Sequence, residues 1–215
     1  MNLLSSFKKV FIMGIGGSGM SSIAKYLKQK GHNVEGYDQR ISYITNLLES
    51  DGVKTFQNLD DFRYQKDVLY IISSAINLDD TFLANYNENE NVISRPKFLE
   101  LLSEEVEIIG ITGTHGKTST TALVSHIFHF NNKNASFIYG GVSGFGNLGG
   151  HFGEETQPLI LETDEAFNTF KNINIKDLIV TNIDNDHIDF YESYENLVDA
   201  FNHVIKNVKG VKVLN

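Results

Sequence analysis

The 215-residue sequence contains no cysteine, which excludes disulfide frameworks and thiolate metal sites and suits a reducing compartment. It is also short of positive charge: 18 Lys and Arg face 27 Asp and Glu, for a formal net charge of −9. A general nucleic-acid binder carries a basic excess or a clustered Lys/Arg stripe, so any nucleotides bound here are expected as small molecules. No apolar run approaches the roughly 20 residues that span a membrane, and Met1-Asn2-Leu3-Leu4 is too short for a signal peptide. These absences predict a cytoplasmic protein with neither membrane nor nucleic-acid partners, and composition is silent on oligomeric state.

What is present is α/β patterning in two blocks, and the length suits two small domains. Val10-Phe11-Ile12-Met13 reads as a strand that runs into a glycine turn, after which Met20, Ile23, Ala24 and Leu27 recur at helical spacing. Short apolar runs at Val34–Tyr37, Val68–Ile72 and Val92-Ile93 alternate with helix-like segments, the pattern of a parallel sheet with right-handed crossovers. Residues 1–103 are therefore expected to form a Rossmann-like domain. A connector helix starts at Arg95-Pro96, and Val106–Ile111 then opens a second, P-loop-type parallel α/β domain over residues 104–215. Its helix is expected from Lys117 to about Asn131 and further strands at Ser136–Tyr139, Leu159–Leu161 and Leu178–Thr181. The seven glycines between 140 and 153 read as a flexible loop without helical or strand period.

Gly14, Gly16 and Gly19 match G-x-G-x-x-G, and Asp38 follows at about the 20-residue offset of the ribose-binding acid in dinucleotide folds. A glycine turn that opens a helix offers free N–H groups and a positive dipole end to any diphosphate. NAD and a UDP-sugar fit this loop equally well, and an unliganded turn needing glycine only for its backbone angles is the bland alternative.

The second loop, Gly110-Ile111-Thr112-Gly113-Thr114-His115-Gly116-Lys117-Thr118, has the more specific chemistry. Strict Walker spacing is not met, but G-x-x-G-K-T remains between a strand and a helix. Lys117 supplies a point charge for β/γ-phosphates and Thr118 a hydroxyl for Mg²⁺. His115 is expected to shape exposed backbone. Two acidic segments, Glu162-Thr163-Asp164-Glu165 and Asp184-Asn185-Asp186-His187, follow strands and so face the same crevice. Mg²⁺ beside phosphates takes only one or two carboxylates, so the remaining acids are expected to be solvated.

Taken in order, Phe11 to Ser21, Ile72-Ser73-Ser74-Ala75-Ile76, Gly110 to Thr118, Glu162 to Glu165 and Thr181 to Tyr191 resemble the Mur ligases over essentially the whole chain. That resemblance implies a three-domain ATP-dependent ligase, here represented by its N-terminal domain and an incomplete central domain. It implies UDP-N-acetylmuramate and L-alanine as substrates, ATP and Mg²⁺ as cofactors, and an acyl phosphate attacked by the amine. It assigns Gly14, Gly16, Gly17, Ser18, Gly19, Asp38, Ser73 and Ser74 to the UDP-sugar. ATP falls to Gly113, Thr114, His115, Gly116, Lys117 and Thr118. Lys117, Glu162 and His187 become the catalytic set, with Thr118, Glu162 and His187 on metal. At Arg95-Pro96-Lys97 the chain departs from the Arg-Ala-Glu common in the family. Two other readings stand beside this one: an NAD-dependent oxidoreductase, built on the first loop, and a nucleotide-binding module without turnover.

Overall fold

The computed structural model describes residues 3–142, 148–185 and 188–215. They fall into two compact units, residues 1–102 with 140–152 and residues 103–139 with 153–215.

The first unit carries α1 (Leu3–Ser6), β1 (Lys9–Met13), α2 (Ser18–Gln29), β2 (Asn33–Tyr37), α3 (Tyr43–Ser50), β3 (Lys54–Phe56), β4 (Val68–Ile72) and β5 (Val92–Ser94), and α4 (Arg95–Glu105) follows. The strand order is β3-β2-β1-β4-β5 with every pair parallel, the first five positions of the doubly wound 3-2-1-4-5-6 order, with the switch point between β1 and β4. Position explains sequence here. β1 is central, and Val10, Phe11, Ile12 and Met13 are all buried, as a parallel strand covered on both faces requires. One face packs Phe11, Met13, Tyr70 and Leu83 against Phe56, Phe62 and Phe82. The apolar stripe of α2 is buried as its spacing predicts.

The second unit carries β6 (Ile108–Thr112), α5 (Lys117–Phe130), β7 (Ser136–Val142), β8 (Leu148–His151), β9 (Leu159–Glu162), β10 (Ile175–Val180), α6 (Ile188–Tyr191), α7 (Tyr194–Asn207) and β11 (Lys212–Leu214), of which Gly140–Phe152 groups with the first unit. The sheet order is β11-β10-β6-β9-β7-β8. Ile111, Ala135 and Ile160 form a core on one side, with Val124 and Phe128 of α5 packed on it. Leu197, Ala200, Phe201 and Val204 of α7 are buried, and Phe201 meets Phe170 edge to face at 5.1 Å. No helix among the described residues is long and apolar enough to cross a membrane.

Two expectations are corrected. Residues 140–153 are not one loop: Gly140 and Gly141 continue β7, and Gly149 and Gly150 lie in β8, while Gly144 and Gly146 fall outside the described residues. A Cβ on Gly150 would collide with the Ser22 carbonyl, so close packing demands glycine here and erases the apolar period. β10 begins at Ile175, earlier than its apolar run, because a register irregularity between Ile175 and Asp177 interrupts the alternation.

Glycine also governs how the first turn sits on the sheet. A Cβ on Gly36 of β2 would lie 2.6 Å from the Ile12 carbonyl oxygen and 2.5 Å from Ile15 Cδ1. Gly36→Ala should therefore cost about 1–3 kcal/mol through overpacking, and an unchanged Tm in thermal unfolding would contradict that close approach.

Candidate functional site

In the second unit, Ile111 pairs with Glu162 of β9 and Thr112 with Val180 of β10. The turn after β6 thus begins level with the ends of both neighbours, where the segments 162–165 and 181–184 leave the sheet. Gly113 has φ +133°, and a Cβ there would strike Thr181 Oγ1. Gly116, at φ +81°, caps the start of α5. Neither conformation suits an L side chain.

Residues after β10 stitch the loop in place. The Asn182 carboxamide accepts from His115 N at 2.9 Å and donates to His115 O at 2.9 Å. Thr181 Oγ1 donates to the same carbonyl at 2.6 Å. Thr114 N donates to Asn182 O, and Asp184 N donates to Thr114 Oγ1 at 2.9 Å. The His115 ring itself is exposed, 3.7 Å from the Asp184 carboxylate.

At the head of α5, Thr118 Oγ1 donates to Glu162 Oε1 at 2.8 Å. Lys117 Nζ donates to Gly113 O at 2.7 Å, to Thr114 O at 3.3 Å and to Glu165, whose oxygens lie 3.0 and 3.2 Å away. Glu165 is 1% exposed. The expectation that the acids beyond Glu162 are solvated is therefore wrong for Glu165, which the lysine neutralises below the surface. Among the described residues no cluster of three or more His, Asp or Glu is arranged to hold a metal. The Thr118 hydroxyl and Glu162 carboxylate are two hard oxygen donors, and they fit a Mg²⁺ whose shell is completed by phosphate oxygens and water. His187, with Asp186, lies outside the described residues.

The first unit gathers its predicted residues by register. Met13 pairs with both Tyr37 and Ile72, so Gly14, Asp38 and Ser73 begin at one level. Gly14 N donates to Tyr37 O at 2.8 Å and Ser73 N to Met13 O at 3.0 Å. A Cβ on Gly14, which has φ +78°, would lie 2.9 Å from Ser73 Cβ. The Asp38 carboxylate accepts from Gly16 N at 2.9 Å and from Arg40 N at 3.1 Å. Gly17 caps α2, with Ser18 exposed at its first turn and Ser74 exposed after β4. A Cβ on Gly19 would meet the Arg95 guanidinium at 3.1–3.3 Å, which places a cation at the start of that helix. Arg95, Glu165, Thr181 and Asn182 were not assigned to a site from sequence. The signal available for Glu165, Thr181 and Asn182 is that they follow apolar strands inside segments that resemble the family, and Arg95 has only its place at the start of the connector helix.

Two family models match consecutive stretches of the chain. Residues 9–107 match the Mur ligase family catalytic domain and residues 111–215 the Mur ligase middle domain. The chain is 33% identical over 216 residues to a UDP-N-acetylmuramate–L-alanine ligase of Cytophaga hutchinsonii, covering 96% of this chain and 46% of that one. It is 36% identical to the same ligase of a Hydrogenobaculum species, covering 97% and 47%. The crystal structure of a UDP-N-acetylmuramate-alanine ligase from Thermotoga maritima superposes with a TM-score of 0.80 at 28% identity, over 94% of this chain and 48% of that one. The chain thus spans about half the length of the curated relatives it matches.

The two-point grip of Asn182 on His115 is testable without any ligand. Asn182→Ala should speed hydrogen exchange at the His115 amide about tenfold, the loss of roughly 1–1.5 kcal/mol of local hydrogen bonding. Exchange at the wild-type rate would mean that the glycine turn holds itself.

Proposed function

The chain belongs to the Mur ligase family, and from that premise we propose that it supplies the UDP-sugar and ATP-phosphate sites of an ATP-dependent ligase joining UDP-N-acetylmuramate to L-alanine. The observation that carries the reading is the Lys117–Thr118 pair at the head of α5, with Thr118 already on the Glu162 carboxylate. A strand, a glycine turn and a helix N-terminus direct amides toward an anion, and here a lysine and a magnesium-type oxygen pair join them. In this reading residues 104–215 hold ATP and residues 1–103 the UDP-sugar. Amide-bond formation belongs to the whole protein.

The phosphates sit against the turn Gly113, Thr114, His115 and Gly116; the Thr114 and His115 amides are already held by Asn182, so the other amides of the turn and helix start are the donors, and Lys117 faces the terminal phosphates. Thr118 and Glu162 would hold Mg²⁺, and by the family resemblance His187 would serve a second metal. Mg²⁺ supplies charge that lets a substrate carboxylate approach a triphosphate, two anions that otherwise repel. Asn182 and Thr181 keep the cradle rigid, so little reorganisation accompanies binding. In the first unit the turn Gly14, Gly16, Gly17, Ser18 and Gly19, with Asp38, Ser73 and Ser74, takes the UDP-sugar diphosphate. The turn chemistry alone serves NAD as well, and family membership favours the UDP-sugar.

Lys117→Ala should weaken Mg·ATP binding at least tenfold in calorimetry, since it removes a charge-assisted contact. Equal affinity in the two proteins would take this loop out of the argument. UDP-N-acetylmuramate should shift the amide resonances of Gly14 to Gly19 saturably, and NAD should not. The reverse pattern would restore the oxidoreductase reading.

A further inference from the structure

We propose that Glu165 is a positioning residue for the phosphate loop, a buried counter-carboxylate that holds the Lys117 ammonium until the terminal phosphates of the nucleotide compete for it. The proposal rests on reading Gly113–Thr118 as a phosphate site. An ammonium has three protons to donate, and Lys117 Nζ already meets the Gly113 and Thr114 carbonyls and the Glu165 carboxylate. A phosphate oxygen reaches this ammonium only by sharing or displacing one of the three. Of these acceptors only Glu165 is anionic, so it is the one whose attraction most resembles that of the incoming ligand.

Burial makes the pairing consequential. The Glu165 side chain is 1% exposed and that of Lys117 is 14% exposed, so water screens the pair weakly. Losing one partner from such a pair leaves an uncompensated charge. The carboxylate is also fixed from behind. The Tyr191 hydroxyl, itself on a buried residue, donates to the Glu165 carbonyl. Thr163, two residues earlier, donates its backbone N–H to Ile111 O at 2.9 Å. Glu165 is thus held between the end of β9 and α6, and the lysine is held by Glu165. When a triphosphate enters, the buried carboxylate repels it while the lysine attracts it, so the affinity of the loop is set by the pair and not by Lys117 alone.

Four proteins test this: wild type, Glu165→Gln, Lys117→Met and the double variant. Lys117→Met should lower Tm by roughly 5–10 °C because a buried carboxylate loses its partner, and adding Glu165→Gln should restore at least half of that loss. A double variant as unstable as the sum of the single losses overturns the pairing. Calorimetry with inorganic triphosphate and Mg²⁺ gives the second readout, with Glu165→Gln expected to bind roughly threefold to tenfold tighter than wild type. Glu165→Asp keeps the charge and should stay within about twofold of wild type, which separates charge from packing. Triphosphate binding that is equal or weaker in Glu165→Gln overturns the competition. If neither wild type nor Glu165→Gln binds triphosphate, the phosphate reading of the loop fails, and this inference with it.

Discussion

Parallel pairing of β6 between β9 and β10 is the constraint on which the candidate site depends. It brings three strand ends to one level, so that Glu162 continues from one neighbour and Thr181 from the other beside the same turn. Order along the chain would not do this, because 48 residues separate Lys117 from Glu165 and 67 separate His115 from Asn182. The first unit uses the same device with β1 between β2 and β4. In both, the glycine turn leaves the central strand, and the polar residues that serve it leave the flanking strands. This is why open parallel sheets bind ligands outside the carboxyl ends of their strands.

Much of this was legible because central parallel strands announce themselves. Val10–Met13 is an apolar run stopped by glycine, Val106–Ile111 is a mostly apolar run leading into the Gly113 turn, and G-K-T at the start of a helix carries its chemistry with it. Strand placement alone leaves the acid beside Thr118 open among Glu162, Asp164 and Glu165, and the family resemblance is what points to Glu162. Other features had no sequence signal. Glu165 sits in a run of acids beyond a strand end, where solvation is the ordinary outcome, and only tertiary placement shows it buried on a lysine. The glycine-rich stretch hides its strands for a related reason. Gly150 is demanded by a backbone contact with Ser22 far away in sequence, and no local period records such a contact. Arg95 reads as the first residue of a connector helix, and its approach to Gly19 emerges only when α4 is set against α2.

The chain carries a formal net charge of −9, yet the ligands proposed for both units are polyanions. The overall field is therefore not what draws them. At physiological ionic strength charges more than about 8 Å apart are largely screened at the surface, so local groups decide. Each glycine turn has such groups, and each is already engaged by one of the protein's own carboxylates: Asp38 accepts from the Gly16 amide, and Glu165 from the Lys117 ammonium. These acids satisfy donors that would otherwise be exposed or buried without a counter-charge. They also mean that a phosphate replaces or shares an existing interaction and does not fill a bare one. The net gain on binding is then a difference between two anions competing for the same donors. Such a difference discriminates by charge and geometry: a ligand with one negative oxygen gains little over the resident carboxylate, while a diphosphate or triphosphate that spans the turn, the helix start and a metal gains at several points at once.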